Sequence, residues 1–213
     1  MGLRQVTIPD RLCDALIDAI RVVSGVGEAA RPNPAKNAAT SALPAAVRRE
    51  SAAFMRVNHS GEVCAQALYR GQATVARTPE ITALMQQCAA EETDHLVWCQ
   101  ERLKELQSHR SVLSPFWYVN AYLIGMVVGL CGDAISLGFV RETERQVEAH
   151  LAGHLARLDV HDAKSRAIIL QMQQDESHHA DTAGQQGARE LPLWVQGLMR
   201  LHAKVMTTVA HWV

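Results

Sequence analysis

The sequence predicts an all-α protein: a four-helix bundle with a long apolar crossover and additional helices at its N- and C-terminal ends. Three observations carry that expectation. The motif Glu-x-x-His occurs twice, as Glu92-Thr93-Asp94-His95 and Glu176-Ser177-His178-His179, each with a glutamate about one helical hairpin upstream. Between residues 51 and 114 the only proline is Pro79, which suits long helices joined by short turns. Residues 116–140 form an apolar stretch, punctuated by glycines, that is too long to be a turn.

The elements follow in order. Pro9 and Asp10 open a short amphipathic helix; Leu12, Leu16, Ile17, Ile20 and Val23 form its apolar stripe, and Gly25 and Gly27 end it. Residues 31–46, with Pro32, Pro34 and Pro44, read as a linker of little fixed structure. Residues 1–50 are thus an N-terminal extension, and residues 51–213 the bundle with a C-terminal amphipathic helix. A first long helix is expected over about 46–76. A second runs from Pro79 to about 107, with Thr78 as its N-cap and Pro79 at the position where a missing N–H costs nothing. After a break at 108–115 comes the crossover, with Gly125, Gly129, Gly132 and Gly138 as break points. The third and fourth bundle helices flank a break at Asp159-Val160-His161. Leu191, Trp194, Val195, Leu198, Met199 and Val205 mark the last helix.

Spacing then bears on chemistry. Helix positions i and i+3 share a face, so each Glu-x-x-His pair can grip one metal ion. Glu62 stands 30 residues before Glu92, and Glu144 stands 32 before Glu176. From Glu62 to the turn at Thr78 is about 16 residues and from there to Glu92 about 14, or ~24 Å up and ~21 Å down at the helical rise. The second hairpin gives about 16 each way, so both halves close on one level. Six solvated side chains would show no such agreement. Four glutamates and two histidines in two such halves are the ligand inventory of ferritin-like diiron or dimanganese bundles. Spacing leaves two points open. Asp175 and His178 are also an acid–histidine pair at i, i+3, and Glu148 lies one turn beyond Glu144.

Composition narrows the function classes. With 21 basic and 22 acidic residues and no basic block, nucleic acid is not expected as a partner. Cys13, Cys64, Cys88, Cys99 and Cys131 are scattered, odd in number and without a C-x-x-C pair. No secretory signal opens the chain. A reduced, cytoplasmic setting is expected, and structural zinc, which favours cysteine, is not. The apolar segment has three readings: a buried crossover, an element seated at a membrane interface, or a full span. Asn120 and Asp133 interrupt it, and a span would put the two halves of the metal site on opposite sides of a bilayer. Trp117, Tyr118 and Tyr122 suit the headgroup level and favour the interfacial reading.

Five motifs in order, RVNHSGE (56–62), EETDHLVWC (91–99), LSPFWY (113–118), SLGFVRETE (136–144) and DESHHAD (175–181), resemble the demethoxyubiquinone hydroxylase family. The resemblance runs from about residue 54 to the C-terminus; residues 1–50 lie outside it. It implies a diiron monooxygenase of ubiquinone biosynthesis with two Fe ions per chain. It places the ligands on Glu62, Glu92, His95, Glu144, Glu176 and His179, and so selects Glu144 over Glu148 and Glu176/His179 over Asp175/His178. It also implies a relay of electrons or protons at His150. His59, in the NHSGE signature, is expected to shape the helix start or the rim of the site. The implied reaction inserts one atom of O2 at the unsubstituted ring carbon of a demethoxyubiquinone or its quinol, at a membrane surface, by a cytoplasmic protein attached peripherally to the cell membrane. No flavin or dinucleotide fingerprint is visible. Electrons must come from a partner, a nicotinamide cofactor or the quinol itself. Homo-oligomer and biosynthetic complex both stay open. The alternative is a ferritin-like bundle that oxidises or binds iron without an organic substrate, which would not call for the apolar segment. A metal-free structural bundle is disfavoured by the matched heights.

Overall fold

A computed structural model of the chain describes residues 8–213. Of the N-terminal extension, residues 1–7 lie outside the described residues, as do the side chains of Pro9, predicted to open the helix, and of Leu12, from its predicted stripe. The described elements are α1 (Ile8–Ser24), a 3-10 turn (Pro34–Asn37), α2 (Ala45–Val75), α3 (Pro79–Glu105), α4 (Ser114–Leu130), α5 (Asp133–Arg157), α6 (Ala163–Gln185) and α7 (Leu193–Ala210). Among these residues there is no strand.

Two antiparallel hairpins, α2–α3 and α5–α6, make the bundle. The first turns as its sequence dictates: Thr78 accepts a hydrogen bond from the Ile81 N–H, and Pro79 begins α3. The second turns at Asp162, which caps α6 through the Ser165 N–H at 3.1 Å and is held by Arg102 of α3 at 2.7 Å. Chain hydrophobicity then sorts into an apolar cluster at each end. One gathers Phe54, Met55, Trp98, Leu103, Leu151 and Ile169. The other gathers Leu68, Tyr69, Met85, Leu137, Val140 and Ala183. On all four helices the glutamates and histidines of interest fall between the two clusters.

The crossover is α4, one helix running parallel to α2 for most of its length. It has a single break, at Gly132 (φ 108°), where the chain reverses into α5 and Asp133 meets the Arg77 N–H and the Thr78 hydroxyl. Gly125, Gly129 and Gly138 are therefore not break points, contrary to expectation; they lie inside helices. Their use is close approach. A Cβ on Gly125 would run into the carbonyl oxygen of Leu68, and one on Gly71 into that of Tyr122. The α2 and α4 backbones thus touch, which only glycine permits. Gly125→Val is expected to cost stability at or above the upper end of the ~1–3 kcal/mol usual for overpacking, because the obstacle is backbone that cannot rotate away. Thermal denaturation would read this as a Tm fall of several degrees, with no such fall for Gly153→Ala, where nothing lies within 4 Å.

The segment expected to be a loose linker has fixed structure. Asn33 caps the 3-10 turn through the Ala35 N–H and donates to Glu101 at 2.7 Å, and Ala35 is buried against the bundle. Proline content signalled the absence of a long helix, not the absence of contacts.

Candidate metal centre

The four bundle helices bring Glu62 (α2), Glu92 and His95 (α3), Glu144 (α5), and Glu176 and His179 (α6) together, and all six are buried, none more than 5% exposed. They fall into two overlapping groups. In each, one ligand atom per residue lies within 4.8 Å of all the others: Glu62, Glu92, His95 and Glu176 in one, Glu92, Glu144, Glu176 and His179 in the other. Glu92 and Glu176 belong to both. Glu148 and His178, the two alternatives left by spacing, are in neither group; His178 is exposed.

Both imidazoles point the same way. His95 turns Nδ1 towards Glu92 at 3.0 Å, Glu176 at 3.4 Å and Glu62 at 3.5 Å. His179 turns Nδ1 towards Glu176 at 3.3 Å and Glu92 at 3.5 Å. The other nitrogen donates outward across the bundle: His95 Nε2 to Asp175 of α6 at 2.9 Å, and His179 Nε2 to Glu91 of α3 at 2.6 Å. With a proton fixed on Nε2, a neutral ring presents a bare Nδ1 lone pair to carboxylate oxygens. That repulsion is relieved only by a proton or a metal ion. Burial opposes the charged ring, yet the surrounding carboxylates outweigh it, holding His95 well above the usual histidine range and His179 up to about 12.

The carboxylates show the same demand. Burial, reinforced by neighbouring negative charge, pushes Glu62 and Glu144 well above the usual carboxylate range. Burial pulls Glu176 the same way, but hydrogen bonds from His179 and His95 overcome it and keep Glu176 low. Both oxygens of Glu144 and one of Glu92 are buried without a hydrogen-bond donor. Orphaned carboxylate oxygens at this depth are costly unless a cation completes them. Four hard oxygen donors plus two imidazoles suit iron or manganese, and the donor set therefore fits a two-metal site.

Glu91 and Asp175 were not anticipated as supports of the histidines. Their signal was present: each Glu-x-x-His is preceded immediately by an acid, which reaches over to the other motif's histidine. His150 lies six residues beyond Glu144 on α5, half-buried, edge-on to His154 at 4.1 Å with Nε2 unpartnered. His154 bonds Asn58 at 2.8 Å and stacks on Phe54. Burial keeps both rings neutral, His154 at about 3. His59 is buried with Nδ1 unpartnered and belongs to neither carboxylate group.

Residues 49–210 match the family described as ubiquinone biosynthesis protein COQ7. The chain belongs to that family. Among its relatives, the 3-demethoxyubiquinol 3-hydroxylase of Coxiella burnetii (strain RSA 493 / Nine Mile phase I) is 55% identical over 194 residues, covering 91% of this chain and 90% of the relative. The proteins of the same name from Ralstonia pickettii (strain 12J) and Bordetella pertussis (strain Tohama I) are each 50% identical, over 95% of this chain and 98% and 92% of theirs. The COQ7 match spans every helix of the bundle and leaves out α1 and the segment that follows it.

Proposed function

We propose that this chain is a diiron monooxygenase that hydroxylates the ring of demethoxyubiquinol (or the quinone) with O2 in ubiquinone biosynthesis. The observation that carries it is the pair of four-donor groups sharing Glu92 and Glu176, on a chain half identical to hydroxylases of that substrate along nearly its whole length. Glu62, Glu92, His95 and Glu176 would hold one iron, and Glu92, Glu144, Glu176 and His179 the other. Two irons bound there supply the redox chemistry that divides O2 between the ring carbon and water. The balance is one ring C–H becoming C–OH, one water formed, and two electrons and two protons taken up.

The protein's part is preparation. Asp175 and Glu91 fix the Nε2–H tautomers, so that both Nδ1 atoms are aimed inward before any ion arrives. Apolar clusters above and below keep bulk water from the carboxylates. With neither oxygen held by a hydrogen bond, Glu144 could offer either one to an ion at this site. His150, with its unpartnered Nε2, is the relay candidate. His150→Gln is expected to slow turnover with iron content unchanged.

Substrate reaches the protein from lipid. α1, α4 and α7 form a layer around one apolar cluster that includes Val57, Trp117, Tyr118, Ala121 and Met206, and His202 ties α7 to Asn120 of α4 at 2.8 Å. Outside this layer Leu16, Ile20, Phe116, Leu123, Val127, Trp194 and Leu198 are exposed. Among the described residues no helix is long and apolar enough to cross a membrane. An apolar layer without a span, whose helix α4 carries no charged residue, suits shallow, peripheral attachment to the cytoplasmic face of the cell membrane. Iron storage would not call for it.

The deciding experiment loads the chain anaerobically with ferrous iron, counts the metal by Mössbauer spectroscopy, and supplies demethoxyubiquinol and 18O2. Two coupled irons and one labelled oxygen in the product are expected; unlabelled product, or no coupled pair, refutes the reading. The histidine register has its own test. His179→Ala is expected to lose iron and activity while His178→Ala keeps most of both, because His178 points about 100° away on the helix. Equal losses would reinstate the Asp175/His178 register.

A further inference from the structure

We propose that Arg31, in the connection between α1 and α2, is a positioning residue for the metal centre, clamping Asp94 and Asp175 and through Asp175 setting the orientation of His95. This rests on the two-metal reading above. Arg31 lies outside residues 49–210, so the family match assigns it no role, although the match to the Coxiella burnetii relative, over 91% of this chain, spans it.

The geometry is specific. The Arg31 Nε donates to Asp94 Oδ2 at 2.6 Å, and Nη1 donates to Asp175 Oδ2 at 2.9 Å. That same Asp175 oxygen accepts the Nε2–H of His95 at 2.9 Å. The Ala30 N–H anchors the other oxygen of Asp94 at 2.6 Å, and Gln171 holds the other oxygen of Asp175 at 3.0 Å. The guanidinium plane lies 4.9 Å over the ring of Trp98, which in turn packs 5.4 Å from His95. Two carboxylates on different helices, α3 and α6, are therefore set against each other by one planar cation that also stacks. Lysine could satisfy one of those contacts as a point charge but not all three.

The two halves of the site differ on this point. Glu91, which supports His179, is steadied by Gln87 at 2.9 Å, and among the described residues no arginine or lysine pairs with it; its side chain is 37% exposed. Asp175 is 16% exposed and locked from two sides. His95 sits in the group with Glu62, so loss of Arg31 should loosen that metal position more than the one built on Glu144 and His179. Support of this kind is typically worth 10–100-fold in metal affinity.

The test is anaerobic titration of the full chain with ferrous iron against a chromophoric chelator, for wild type, Arg31→Gln, Arg31→Lys and Asp175→Asn, with metal-free Tm recorded alongside. One of two sites is expected to weaken by about 10–100-fold in Arg31→Gln and in Asp175→Asn, the other staying near wild type, with a smaller loss in Arg31→Lys. A purely structural staple would lower metal-free Tm and leave both affinities unchanged, and that result overturns the proposal. If Arg31→Gln leaves Asp94 unpaired and the chain fails to fold, the Arg31→Gln/Asp94→Asn pair removes the uncompensated charge, and the same affinity loss is expected there. Uptake of fewer than two ions by wild type would sink the two-metal reading itself; two ions with unaltered affinities in every variant sinks only the role of Arg31.

Discussion

Glu144→Ala is expected to abolish hydroxylation and lower iron to fewer than two ions per chain, while the metal-free protein keeps its helices and loses no stability. The first half follows from position: Glu144 is fully buried, belongs to the group with His179, and has two oxygens that no donor satisfies. Removing a direct ligand should exceed the roughly 10–100-fold cost of removing a support. The second half separates a ligand from a fold-builder. A carboxyl group pushed up by burial and by the charge of Glu176 strains the metal-free bundle. Replacing it with a methyl group removes that strain. Iron per chain, turnover and metal-free Tm are the three readings. Should Glu144→Ala hold two irons while Glu148→Ala loses one, the third-helix ligand has been misassigned.

Why that site could be read from the chain, and its supports could not, is a matter of range. Ligand spacing is local: Glu92 with His95 and Glu176 with His179 are fixed by one helical turn, and the hairpin arithmetic needs only a straight helix and a known rise. The N-cap at Thr78 and the hairpin breaks are local too, and they stand where the chain's own chemistry puts them. The crossover glycines depend on what lies opposite. Gly125 signals a break in sequence, yet its neighbour is the Leu68 carbonyl of another helix, and the packed helix continues through it. Arg31 was hidden for the same reason. A proline-containing segment carries no periodicity, and nothing within it announces that residues 94 and 175 converge on one side chain. Glu91 and Asp175 lie between these extremes. The acid before each motif was visible, but the exchange of partners between α3 and α6 follows from packing alone.

The apolar layer gives the second large effect. Replacing Val119, Leu123 and Val127 together with Ser is expected to cut liposome binding by orders of magnitude and to raise KM for long-tailed demethoxyubiquinol, sparing a short-tailed analogue. These three lie one turn apart along α4 and are 58%, 55% and 64% exposed, so the change removes lipid contact without opening the core. Ile124 is the wrong choice for such a test, since it packs inward against the cluster around Leu68 and Leu137. At ~25 cal/mol per Å2 of apolar surface removed from water, three such side chains are worth a few kcal/mol of reversible surface binding, and each ~1.4 kcal/mol is tenfold in affinity. α4 carries no charged residue to compensate. A change in KM confined to long tails identifies lipid delivery, because the short analogue enters from water and meets the same site. Equal flotation of wild type and variant, with both quinols used alike, would mean that this layer serves some other contact.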